Sequence, residues 1–272
     1  MTAVLARGAD PPEPPATGGT HPPGPPLRRE DLLLALETVR DPELDEPITS
    51  LGFVAACTVS PGGDAEVRLR LPTFFCAPNF AYLMVADAYD AVSALPGVRR
   101  VGVVLEDHFA SEPINGGVAA QAGFARSFDG QTLPYDGKPG GELDQLRADF
   151  LRKAVLAGTD QVCRPLLAGG TDPAALPATT LGEVPPSGAL SRLRERRADL
   201  GLPAGDGDPL LIDPVTGAPV QAAAVPLHLR RAHLSRVSIE ANTGICRGML
   251  RHRYATAGQG ETVLAQAQEE DQ

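Results

Sequence analysis

The chain holds four cysteines, Cys57, Cys76, Cys163 and Cys246, and the chemistry most readily assigned to any of them falls on Cys76. It lies in the run Leu71-Pro72-Thr73-Phe74-Phe75-Cys76-Ala77-Pro78, where a strand-like pattern gives way to a helix-like one. Pro78 suits a first helical position, which puts Cys76 close to the unpaired N–H groups and positive dipole end of a helix start. That location favours a thiolate, the form that binds metal or attacks an electrophile. A small buried hydrophobe is the competing reading, because free cysteine is among the most buried residue types. Thr73 could hydrogen-bond the sulfur or a bound ligand, or simply close the end of a strand. Asp41, Glu43, Asp45 and Glu46 crowd four carboxylates into six positions. They form either a solvated acidic turn or, if they approach Cys76 in space, part of its site. His108 is the histidine placed to serve Cys76 as a base.

These residues need elements to hold them. Residues 65–71 alternate apolar and charged side chains, which predicts a strand with one buried face. Ala81, Met84, Val85, Ala88, Val92 and Leu95 recur at helical spacing, predicting a helix from Pro78 to Leu95. Before the acidic turn, Arg29 to Arg40 reads as a helix stopped by Asp41-Pro42. Residues 48–59 lead into a strand, and Pro61-Gly62-Gly63-Asp64 turns it back as a hairpin. Pro96-Gly97 then breaks the chain before a valine-rich strand at residues 98–105. The order is α-β-β-α-β, a small α/β (α+β) unit with helices packed on a three-stranded mixed sheet. Strands two and three, joined through a helix, should run parallel. The Cys76 loop then lies at the carboxyl end of strand two, and His108 follows strand three at the same sheet end.

The remaining sequence is less regular. Residues 1–27 are a Pro/Gly-rich tail predicted to be disordered. Residues 111–130 read as a loop with a short helix, and residues 142–157 as a helix stopped by Gly158, within a helical extension spanning 111–167. Residues 168–188 read as a linker. A basic, mostly helical domain follows at 189–256, with a short strand at Leu210-Leu211-Ile212, and an acidic, fraying tail at 257–272. Residues 28–110 carry seven basic and thirteen acidic side chains, whereas 188–256 carry ten and six. The two ends should therefore attract each other, or the basic end should meet an acidic partner. His228, His233, Cys246 and His252 are all metal-ligand types, yet none shows the paired spacing of a structural zinc site. Whether Cys246 belongs with Cys76 is open at this level.

A net charge of −10 argues against nucleic acid or an anionic membrane as a general partner. No signal peptide and no apolar run of spanning length is visible, and no cysteines form a Cys-x-x-Cys pair. A cytoplasmic, reducing location with free thiols is the expectation.

Asp41-Pro42-Glu43, the Leu-Gly-aromatic-Val core at residues 51–54, the hairpin, the Thr-bearing loop ending in cysteine, and Pro-Gly-Val before a valine-rich strand occur in one order over residues 28–110. That series resembles the SufT and PaaD type of iron-sulfur (metal-sulfur) cluster assembly domain. The resemblance implies an accessory protein for maturing metalloenzymes rather than a catalyst of metabolite turnover. It implies that Cys76 is the reactive cysteine and metal ligand, with Thr73, Asp41 and Glu43 as its companions. It further implies iron or an iron-sulfur cluster, held transiently, and a client such as a multicomponent oxygenase or another assembly factor. One cysteine cannot complete a cluster's usual four-thiolate shell. Either two chains share the cluster as a homodimer, or a partner or small thiol completes it, or Cys76 only passes metal or sulfur along. Two other classes stand beside this one. The first is a cysteine-nucleophile enzyme using Cys76 and His108; the second is a non-catalytic assembly or adaptor subunit of an oxygenase complex.

Overall fold

The alternation at residues 64–70 becomes the central strand of a three-stranded sheet. A computed structural model describes residues 27–128 and 143–269, with side chains to residue 255. The tail expected over residues 1–27 lies almost wholly outside the described residues. Strand β1 (Val54–Val59) pairs antiparallel with β2 (Asp64–Arg70), and β2 pairs parallel with β3 (Arg100–Glu106). The sheet order is β1-β2-β3, as the α-β-β-α-β reading requires. Ala65, Val67 and Leu69 enter the core while Glu66 and Arg68 face outward. The turn between β1 and β2 depends on Gly63, whose φ is +83°. A Cβ there would stand 2.3 Å from the Gly97 carbonyl oxygen, so the hairpin and the entry to β3 can meet only over a glycine.

Helix α1 (Arg29–Leu36) and helix α3 (Pro78–Ser93) bury Leu32, Leu36, Ala81, Met84, Val85, Ala88 and Val92 in one core with the sheet. Helix α1 ends four residues earlier than its pattern predicts, because the chain must turn before Arg40 bridges Pro47 across the acidic turn. A single helical turn, α2 (Ile48–Leu51), stops at Gly52 in the left-handed region and leads into β1. Past the sheet, residues 111–127 are helical in two pieces, α4 (Ser111–Ala119) and α5 (Phe124–Ser127). Ile114, Val118, Phe124 and Phe128 join the first core, which therefore runs beyond residue 110.

A second core gathers Val155, Val162, Cys163, Leu176, Leu181, Leu193, Leu210 and Leu211. It is built by α6 (Asp144–Ala168), α7 (Gly188–Asp199) and the first half of α8 (Val225–Glu269). Several expectations are corrected here. Gly158 does not stop a helix: α6 continues to Ala168, and Gly158 is where the backbone of α6 passes close to Leu193 of α7. Residues 168–188 are not a slack linker, since residues 173–178 form a 3-10 helix and Leu176 and Leu181 are fully buried. Leu210, Leu211 and Ile212 are buried as a strand would bury them, but they make only isolated bridges at Pro209 and Ile212. Helix α8 continues through residue 257 to Glu269.

The Gly158 crossing carries a prediction. A Cβ at this position would meet Leu193 Cδ1 at 3.4 Å, an ordinary contact. Gly158→Ala should raise stability by about 1 kcal/mol through helix propensity. A denaturant titration checks it, and a loss of stability would mean that α6 and α7 cannot separate by the small amount needed.

Candidate functional site

The parallel register of β2 and β3 sets the site. Arg70 pairs with Glu106, so the chain leaves both strands at one sheet edge, and residues 72–77 lie beside residues 107–109. The Phe109 N–H donates to the Phe74 carbonyl at 3.1 Å, stitching the two loops together. Cys76 is half-buried at the start of α3, two residues before Pro78 and just before the helix cap at Ala77. Its Sγ lies 3.3 Å from Thr73 Oγ1, so the two residues singled out in this loop are in contact. The same hydroxyl accepts from the Phe75 N–H at 3.2 Å, which fixes its position. In the two stitched loops, Phe74, Phe75 and Phe109 form a set of mutually packed rings with centroids 5.0 to 6.3 Å apart. All three remain exposed, Phe75 at 76%.

His108 is at the predicted sheet end, but it does not address the thiol. Its Nδ1 accepts from the Ala110 N–H at 3.2 Å, which leaves the proton on Nε2. Nε2–H donates to the Cys76 backbone carbonyl at 2.7 Å. Burial lowers the ring's pKa, outweighing the raising effect of the bond to Cys76 and aided by nearby Arg253. His108 is thus a neutral clamp on the Cys76 backbone, with both nitrogens engaged. The dyad reading needed one of them free for the sulfur.

The acidic turn is structurally committed, with Asp41 buried and the other three carboxylates partly exposed. Asp41 Oδ1 accepts from the N–H groups of Glu43 at 2.8 Å and Leu44 at 2.9 Å. Burial pushes the Asp41 carboxyl up to about 6 against those two bonds, with the Glu43 charge adding to the rise. The other three carboxylates face the C-terminal segment. Glu43 Oε1 accepts from Asn242 Nδ2 at 3.1 Å, Asp45 pairs with Arg196, and Glu46 pairs with Arg247. The charge asymmetry read from the sequence is realised within the chain, and the Arg196 side chain is only 5% exposed in its pair.

These contacts lay α8 across the first lobe, which periodicity alone could not reveal. Leu250 packs on Gly52, Arg253 Nη1 donates to the Leu71 carbonyl at 3.1 Å, Arg253 Nη2 donates to the Asp107 carbonyl, and the Arg70 guanidinium lies 4.9 Å from the Tyr254 ring centre. Leu71 and Asp107 are the residues from which the Cys76 and His108 loops depart. Cys246 lies on the same stretch of helix, half-buried against the first core. Burial, then the charges of Asp41, Cys76 and Glu43, push its thiol up to about 11. Sequence reasoning left Cys246 open; the available signal was Asn242, Cys246 and Leu250 at successive four-residue steps.

The family model described as iron-sulfur cluster assembly protein matches residues 29–104. An uncharacterised protein of Methanocaldococcus jannaschii is 33% identical over 89 residues, covering 33% of this chain and 92% of that protein. This chain belongs to the iron-sulfur cluster assembly protein family. Its assembly domain comprises α1 to β3, and membership assigns it a general role in iron-sulfur cluster assembly. No solved structure matches the chain.

His228, His233 and Cys163 lie away from the Cys76 loop, whereas His252 is next to Arg253 on the stretch of α8 that crosses the first core. His233 faces Asp160 at 3.7 Å, and His228 lies near Asp213. His228 is about 27 Å along α8 from Cys246 at 1.5 Å per residue. Cys163 sits in the second core, where burial pushes its thiol up to about 12, as a packing residue. Among the described residues, no three His, Cys, Asp or Glu side chains are grouped to hold a metal ion. No helix among them is long and apolar enough to cross a membrane.

Proposed function

We propose that this chain is a cargo-handling accessory protein, which takes iron or an iron-sulfur cluster on the Cys76 thiolate and delivers it to a client metalloenzyme. The observation that carries this reading is the placement of Cys76. It stands at the carboxyl edge of a parallel strand pair, half-buried at a helix start, with the Thr73 hydroxyl at 3.3 Å and its backbone clamped by His108. A thiolate is a soft ligand suited to iron and iron-sulfur clusters. The hydroxyl steadies the charged sulfur, and the neutral imidazole holds the loop without withdrawing or supplying a proton at Sγ. The cargo shell is left open, since no three ligating side chains are grouped among the described residues. An open shell suits transfer, because a partner's ligands can enter without displacing a full set.

A client that receives cargo from Cys76 meets the exposed Phe74, Phe75 and Phe109 rings, which stand on the Cys76 loop and the loop stitched to it. The resemblance to PaaD-type proteins makes a multicomponent oxygenase the client class to test first. The assembly unit at residues 28–110 carries the cargo; the C-terminal segment holds α8 over it. Asp41 and Glu43 act in this scheme by shaping the turn on which α8 rests.

The test is iron and acid-labile sulfide content, with the visible spectrum, of protein purified without oxygen, for wild type beside Cys76→Ser. Bound iron and sulfide with charge-transfer bands in the wild type, lost in the variant, are expected. Wild-type protein that takes up neither, even after anaerobic reconstitution, would overturn the cargo reading.

A further inference from the structure

We infer that Cys246 of α8 is the second thiolate of the cargo site, forming with Cys76 a two-thiol half-site that joins the C-terminal segment to the assembly domain. The inference rests on the cargo reading of Cys76 and extends it to a residue well outside the matched assembly domain.

The position of Cys246 follows from the contacts on either side of it. One helical turn before it, Asn242 bonds Glu43 in the acidic turn at 3.1 Å. One turn after it, Leu250 closes on Gly52, where even an added Cβ would be only 3.3 Å away. Nearly two turns after it, Arg253 holds the carbonyls of Leu71 and Asp107. Residues 242, 246, 250 and 253 fall on one helix face. Cys246 is thereby held on the domain-facing side of α8, between the acidic turn and the loop that carries Cys76. Consistent with this, after burial the groups that act electrostatically on Cys246 are Asp41, Cys76 and Glu43. Both cysteines lie at the edge of the same core, half-buried rather than sealed. By contrast, Cys57 is 2% and Cys163 1% exposed.

Two thiols at the edge of a core suit a thiophilic cation or the iron of a cluster. As each sulfur-metal bond forms, the thiol proton leaves to solvent and no electron is transferred. Two thiolates fill half of a four-thiolate shell. The other half comes from outside the chain, which is what a protein that passes its cargo on requires. In this arrangement α8 does more than support the domain: its docking through Asn242, Arg247 and Arg253 completes the half-site.

The experiment uses the full-length chain under anaerobic conditions with Cd²⁺ as the probe. It follows the ultraviolet sulfur-to-metal charge-transfer band, and iron content after reconstitution is measured in parallel. Wild type, Cys76→Ser, Cys246→Ser and the double variant are compared, with Cys57→Ser and Cys163→Ser as controls and circular dichroism to verify folding. Each single site variant is expected to lose about half the band amplitude and to bind Cd²⁺ at least tenfold more weakly. The double variant should show no band, and the controls should match wild type. If Cys246→Ser keeps wild-type amplitude, affinity and iron while Cys76→Ser loses them, the inference falls and the cargo reading survives. If wild type takes up neither metal, both fall. A misfolded Cys246→Ser is replaced by Cys246→Ala, which is read by the same criteria.

Discussion

Arg197→Ala is expected to unfold the C-terminal core at markedly lower denaturant than the wild type. Arg197 is fully buried, and its guanidinium serves as an internal cap for a loop. Nη1 donates to the Pro209 carbonyl at 2.8 Å and Nη2 to the Leu210 carbonyl. Those carbonyls precede the buried Leu211 and Ile212, which lie outside the sheet and are tied only by the bridge between Ile212 and Pro219 and the Val220 N–H donating to the Leu211 carbonyl. Burial lowers the arginine's pKa to about 10, so it remains charged at neutral pH. Truncation strands both carbonyls and opens a cavity the size of the lost side chain. Costs of about 3–5 kcal/mol are usual for such losses. Melting should fall by roughly 10 °C for a unit of this size. Denaturation followed by circular dichroism checks it, and a variant that melts within a degree of wild type would show that the loop can satisfy its carbonyls without Arg197.

Asp41→Asn is expected to stabilise the protein at neutral pH, with a gain that disappears in acid. Asp41 is 8% exposed, and its carboxyl pKa rises from 3.8 to about 6 in the folded chain. A carboxyl whose folded pKa is raised binds its proton more tightly when folded. Its charged form therefore opposes folding above about pH 6, and that penalty fades as the pH falls towards the unfolded value of 3.8. The gap between the two values corresponds to about 3 kcal/mol. Asparagine keeps an oxygen acceptor for the Glu43 and Leu44 N–H groups without the buried charge. The variant should exceed wild type by about 2–3 kcal/mol at pH 7.5 and match it near pH 4. Urea titrations at the two pH values decide the point. A variant less stable than wild type at pH 7.5 would mean that the charged carboxylate's two backbone bonds outweigh its desolvation.

Local pattern carried much of the first lobe. Alternation at residues 65–71, the Gly63 turn and the helical stripe from Ala81 to Val92 each specify an element from neighbouring residues alone. Their order then leaves few topologies for a three-stranded sheet. The contact between Thr73 and Cys76 was legible for the same reason, since the two stand three positions apart in one loop. The placement of His108 was legible to the sheet end and no further. Which atom the ring meets depends on the Ala110 N–H and the Cys76 carbonyl, and no spacing rule encodes a side chain's choice between a thiol and a carbonyl 32 residues away.

Composition determined that residues 28–110 are acidic and residues 188–256 basic, and so that attraction between them was available. Only the tertiary structure decided that Arg196 and Arg247 meet Asp45 and Glu46, that Gly158 is a helix crossing rather than a stop, and that α8 crosses the assembly domain with Cys246 on its inner face. Periodicity is a property of one element, and it marks which side chains a helix can bury without naming what covers them. The partner of a helix face is set by packing between segments some two hundred residues apart, where burial and ion pairing are realised together.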